Sequence, residues 1–116
     1  PQFAGATFHQ IVPEADAGDI IHHSMPELKL GQGIHDVGAE VVLKAREDLR
    51  QLLDRLSKYG GLPLSKQKST GRLFLTRDFE PQHLRPMYDL YDDKIVDAWL
   101  NGRLGSRTPK LVNGLR

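Results

Sequence analysis

The sequence predicts a small, helix-rich α+β fold: two amphipathic helices at about 37–59 and 81–101, a short β-hairpin between them, and irregular N- and C-terminal arms. Three observations predict it. Apolar residues recur at steps of three and four in both helical stretches. A segment of short apolar runs broken by Pro63 and Gly71 separates them. No long apolar period appears before residue 36 or after residue 102.

The scale fits one domain. A chain of 116 residues suits a single hydrophobic core, and 39% apolar with 27% charged residues is the composition of a folded globular protein. No apolar run approaches the roughly 20 residues of a membrane span, and no apolar signal-type region sits near the start. With no cysteine, disulfides, thiolate metal sites and a thiol nucleophile are excluded. The cytoplasm or another reducing compartment is expected.

Residues 1–36 are punctuated by Gly5, Pro13, Gly18, Pro26, Gly31 and Gly33 and are expected as an extended or partly ordered arm, with short strands or turns around Thr7–Val12 and Asp19–His23. Asp36 can accept from the free amides of a first helical turn. Val41, Val42, Ala45, Leu49, Leu52, Leu53 and Leu56 then make one apolar stripe. Pairs such as Glu47 with Arg50 and Asp54 with Lys58 lie opposite, each contributing a few tenths of a kcal/mol. Gly60-Gly61 supplies the left-handed stop.

Leu62-Pro63-Leu64 and Arg72-Leu73-Phe74-Leu75-Thr76 are the two strand candidates of the hairpin, with Pro63 confined to an edge or bulge. Pro81 or Pro86 opens the second helix. Met87, Leu90, Tyr91, Ile95, Ala98 and Trp99 form its stripe, Asp89, Asp92, Asp93 and Asp97 face solvent, and Asn101-Gly102 ends it. The core is expected over 37–102, followed by a basic tail over 103–116.

Charge is segregated although the net charge is +1. Arg55, Lys58, Lys66, Lys68, Arg72 and Arg77 follow one another without an intervening carboxylate, Asp78 to Asp97 carries six acids against two bases, and Ala98 to Arg116 carries four bases and no acid. Such blocks belong to surfaces that meet charged partners. Lys66, Lys68, Ser69, Thr70 and Arg72, with Arg103 and Arg107 of the tail, have the ammonium, guanidinium and hydroxyl groups of a phosphate contact. A solvated turn has the same composition, and the P-loop spacing is absent.

The histidines His22, His23 and His35 stand near Asp36 in sequence, but no metal-ligand spacing links them, and no metal or cofactor is expected. No catalytic residue is assigned, because Asp89, Asp92, Asp93 and Asp97 on an exposed face lack the burial that general acid work requires. Tyr88 falls off the apolar stripe and is a candidate protein contact. Leu104, Leu111 and Leu115 of the tail need either the helices or a partner to cover them. Ile34-His35-Asp36-Val37-Gly38 resembles a string near the start of nitrile hydratase beta-type subunits. The likeness spans those five residues, departs at Ala39 where a further glycine is the pattern, and implies no fold, activity or site residue elsewhere in the chain.

The function expected is a non-catalytic small subunit or adaptor whose arms pack onto a larger protein assembly or a second copy. The alternative is a module that binds the phosphate backbone of RNA or DNA, and a small enzyme or metal-binding domain stands third.

Overall fold

A computed structural model describes residues 1–67 and 75–116. Strands β1 (Ala6–His9) and β2 (Ile20–Ser24) form an antiparallel hairpin. Helices α1 (Ile34–Tyr59), α2 (Arg85–Asp89) and α3 (Ile95–Leu100) follow, with 3₁₀ turns at Thr76–Asp78 and Pro81–His83. The fold is α+β, with its strands ahead of the helices.

Ala6 pairs with Ser24, Thr7 with His23 and Phe8 with His22, after which the register slips and His9 faces Ile20. Ile21 is the extra residue of that bulge. The chain turns back closely enough that a side chain at Gly18 would overlap the Gln10 carbonyl. The far edge of β2 is taken by two distant segments. Ile20 exchanges backbone hydrogen bonds of 2.7 and 2.8 Å with Ser65, and the His23 amide donates to the Val112 carbonyl at 2.9 Å.

The arm expected over 1–36 therefore supplies both strands. They fall where short strands or turns are expected, around Thr7–Val12 and Asp19–His23; their pairing carries no apolar signal because the residues β2 buries are His22 and Ser24, so its inward positions are polar. The hairpin expected between the helices is not formed by the described residues. Pro63 lacks an amide for a ladder, Ser65 pairs with β2 instead, and Thr76 opens a 3₁₀ turn. Arg72, Leu73 and Phe74 lie outside the described residues.

Helix α1 begins at Ile34 rather than beyond Asp36. Asp36 folds back to accept the Gly33 amide at 2.8 Å, and Asp93 accepts the Ile34 amide at 2.9 Å, so two carboxylates satisfy free donors of the first turn. A side chain at Gly33 would collide with Asp93. The helix stops where expected, at Gly60 with φ 72°, whose amide returns to the Leu56 carbonyl at 2.9 Å.

The single second helix is not observed. Asp92 and Asp93 adopt φ 50° and 54°, a left-handed conformation that aspartate tolerates better than most residues, and this breaks the stretch into α2 and α3. Asp93 and Asp97, expected toward solvent, turn inward to the amides of Ile34 and Gly31, the latter at 2.8 Å. The tail is likewise laid down on β2 rather than free.

Among the described residues, Val37, Leu52, Val96 and Ala98 are the buried hydrophobic ones. Around this small core the radius of gyration is 16.1 Å, against about 13 Å for a compact chain of this length. The accessible surface is 8782 Å², where a compact monomer of this mass exposes about 6,400 Å².

Candidate protein-interaction surface

Two features of α1 bear on function, one buried and one exposed. On the inward face Asp48 is 1% exposed and collects three donors. His22 Nε2 lies 2.9 Å from Oδ2, Ser24 Oγ donates to the same oxygen at 2.7 Å, and Lys44 Nζ donates to Oδ1 at 3.0 Å. The Gly114 amide donates to His22 Nδ1 at 3.1 Å. That nitrogen is therefore unprotonated, and Nε2 carries the hydrogen given to Asp48. Burial pushes the Asp48 carboxyl up, but the bonds from Ser24, His22 and Lys44, together with the Lys44 charge, outweigh it and hold the group below the usual carboxylate value.

This arrangement is not a nucleophile relay. In a Ser–His–Asp triad the serine hydroxyl meets the imidazole, whereas here Ser24 and His22 converge on one carboxylate oxygen and the other imidazole nitrogen is occupied by a backbone amide. The network instead ties β2, α1 and the tail together. Beside it, the Val112 amide donates to His23 Nδ1 at 2.8 Å. Burial first and the neighbouring His22 second lower the pKa of His23. A cleft of about 390 Å³ opens over the network between Lys44, Met25, Leu111 and Arg116.

The outward face carries apolar residues that no described element covers. Val42 is 67% exposed, Leu53 55% and Leu49 43%, with Leu56 comparable. The stripe read from sequence is wider than the surface it packs against: Val37, Asp48 and Leu52 turn inward, while the edge holding Val42, Leu49, Leu53 and Leu56 turns out. At seven-residue spacing Val42, Leu49 and Leu56 share one line along the helix. Leu43, Arg46, Glu47 and Arg50 border it around an open groove of about 460 Å³. Arg50 lies 3.4 Å from Glu47, and Lys58 lies 3.1 Å from Asp54.

The sequence-predicted contacts scatter. Tyr88 is exposed and its hydroxyl lies 3.1 Å from His35 Nε2. Leu111 and Leu115 border the cleft, and Leu104 is half-buried. Lys66 and Arg103 are exposed, and Arg107 stands 5.5 Å over the Phe3 ring. Lys68, Ser69, Thr70 and Arg72 lie outside the described residues, so the grouping of the basic loop with the tail has no geometry here. His22, His23 and His35 take separate partners, and among the described residues no three His, Asp or Glu side chains gather as a metal site. Sequence reasoning missed Asp48, whose signal was a carboxylate set among the apolar positions of α1, between Ala45 and Leu52. Among the described residues no helix is long and apolar enough to cross a membrane. No protein-family model, curated protein or solved structure matches the chain.

Proposed function

We propose that this chain is a non-catalytic subunit or adaptor that docks onto a protein assembly through the outward face of α1. The observation that carries the reading is the line Val42, Leu49, Leu53 and Leu56, exposed on a 26-residue helix. A rigid helix offering an apolar line with charged borders is the shape of a helix-in-groove or helix-pairing contact. Tyr88, beside His35 at the start of α1, would extend the contact as a partly exposed anchor.

The test is recovery of the tagged chain from native lysate beside its Leu49→Glu, Leu53→Glu variant, with nuclease and high salt as separate arms. The expected result is a stoichiometric protein partner that survives both treatments and is lost in the variant. Recovery that disappears with nuclease or salt would instead assign an RNA or DNA phosphate contact to Lys66, Arg103 and Arg107. Recovery unaffected by the variant overturns the role of this face.

A further inference from the structure

We propose that residues 109–116 form a strap across β2, latched by the Nδ1 lone pairs of His22 and His23 and released when those imidazoles take up protons. The two histidines are adjacent in β2, and each accepts a backbone amide from this one distant segment. Val112 donates to His23 Nδ1 at 2.8 Å, and Gly114 donates to His22 Nδ1 at 3.1 Å. An imidazolium carries a hydrogen on both nitrogens and has no lone pair left to accept with. A proton on either Nδ1 therefore sets N–H against N–H, and the strap loses that hold.

The strap has little else to keep it in place. Within 109–116 only Gly114 is buried, so apolar packing does not pin the segment. Among the described residues, its other hydrogen bonds to the body of the protein run from the His23 amide to the Val112 carbonyl at 2.9 Å and from Arg55 to the Arg116 carbonyl at 2.7 Å. Half of the bonds that hold it thus end on a titratable nitrogen.

Charge acts in the same sense. The groups around the two imidazoles are Lys44 and Asp48 of α1, His9 of β1, Asp16 of the turn that follows it, and Lys110 and Arg116 of the strap itself. Asp16 lies 3.8 Å from His9, and Asp48 already accepts from Ser24 and Lys44. Asp48 also meets His22 through Nε2, so the bond that a proton breaks is the one on the other nitrogen, to Gly114. Positive charge on His22 and His23 would then face a segment that carries bases and no acid, and release separates the two. The sign is given by His23, whose pKa is lowered from 6.5 in the folded chain, by burial first and by His22 second. The strapped state binds fewer protons, so the latch is closed above that value and is lost as pH falls through the folded pKa. Release opens the β2 edge at His23 and removes the wall that Leu111 and Arg116 give to the cleft.

The experiment follows hydrogen exchange of single amides in the full chain by nuclear magnetic resonance, from about pH 7.5 to about pH 5, as protection relative to the intrinsic rate at each pH. Protection of Val112 and Gly114 should fall by about tenfold per pH unit for each histidine that gains a proton on release. Over the same range Leu52 in α1 should keep its protection, with far-ultraviolet circular dichroism unchanged. His23→Asn, whose side-chain oxygen accepts the Val112 amide without titrating, should take about tenfold per pH unit off the slope. Level protection at Val112 and Gly114 overturns the latch. A fall shared equally by Leu52 overturns it too, since that is unfolding of the whole chain, as does a slope that His23→Asn leaves unchanged.

Discussion

The Gly114 amide donates to Nδ1 of His22 across 92 residues of sequence, at 3.1 Å. This contact sets the tautomer with which His22 reaches Asp48, so the tail and the helix are coupled through one imidazole. Gly114 can come this near because it has no side chain: a Cβ there would overlap the Ile21 carbonyl.

Removing the acceptor at the centre should be the costliest single change. Asp48→Ala leaves both the His22 and the Ser24 donor buried without a partner, for which a loss of about 1–3 kcal/mol each is expected. Asp48→Asn keeps one oxygen acceptor and should lose about 1–3 kcal/mol. Urea denaturation midpoints of the two variants check the order. Near-equal, small losses would show that the network contributes little.

Stability should fall on acidification in two windows. His23 in the folded chain has its pKa lowered from 6.5, so the unfolded chain takes up the proton first. Its contribution is in place above that value and is lost as pH falls through the folded pKa. Asp48 is lowered from 3.8 and adds a second loss below that pH. Melting temperature scanned against pH should be level near neutrality and then decline in those two steps. His23→Asn, whose side-chain oxygen can still accept the Val112 amide, should remove the upper step, and persistence of that step would exclude His23 as its source.

The cap on α1 should also be measurable. Asp93→Ala removes the acceptor of the Ile34 amide and is expected to cost about 0.5–2 kcal/mol, with faster hydrogen exchange at Ile34 and its neighbours. Asp93→Asn retains an oxygen and tolerates the positive φ, so it should recover most of the loss. If the alanine variant leaves exchange at Ile34 unchanged, Asp36 alone suffices to hold the first turn.

Helix α1 and its Gly60 stop were legible because repetition over many residues and a glycine terminator are local signals. Its start was not. Asp36 reads as a cap from sequence, yet the helix begins earlier because Asp93, far downstream, supplies a second acceptor to the same turn. Short strands are expected around Thr7–Val12 and Asp19–His23, where β1 and β2 lie, but their pairing was illegible for a related reason. His22 and Ser24 are buried for what they donate to Asp48, and apolar patterning cannot register burial that hydrogen bonds compensate. The stripe of α1 was visible as a whole, while its division into an inward and an outward half depends on how little β2 covers. Of the candidate contacts Tyr88, Leu104, Leu111 and Leu115, the structure sets Tyr88 beside His35 and Leu111 and Leu115 on the cleft by Asp48. The line Val42, Leu49, Leu53 and Leu56 was assigned to a core that does not reach it.

Strand β2 also sets an order of events. Its hairpin partner β1 precedes it in the chain, but Val112, which bonds to His23, follows 89 residues later. At about 5–20 residues per second of synthesis, the nascent chain waits several seconds with that strand edge and the His22 acceptor unfilled. The bonds between His23 and Val112 can close only once Val112 has been made, and a ribosome stalled before it would present an open β-edge at His23.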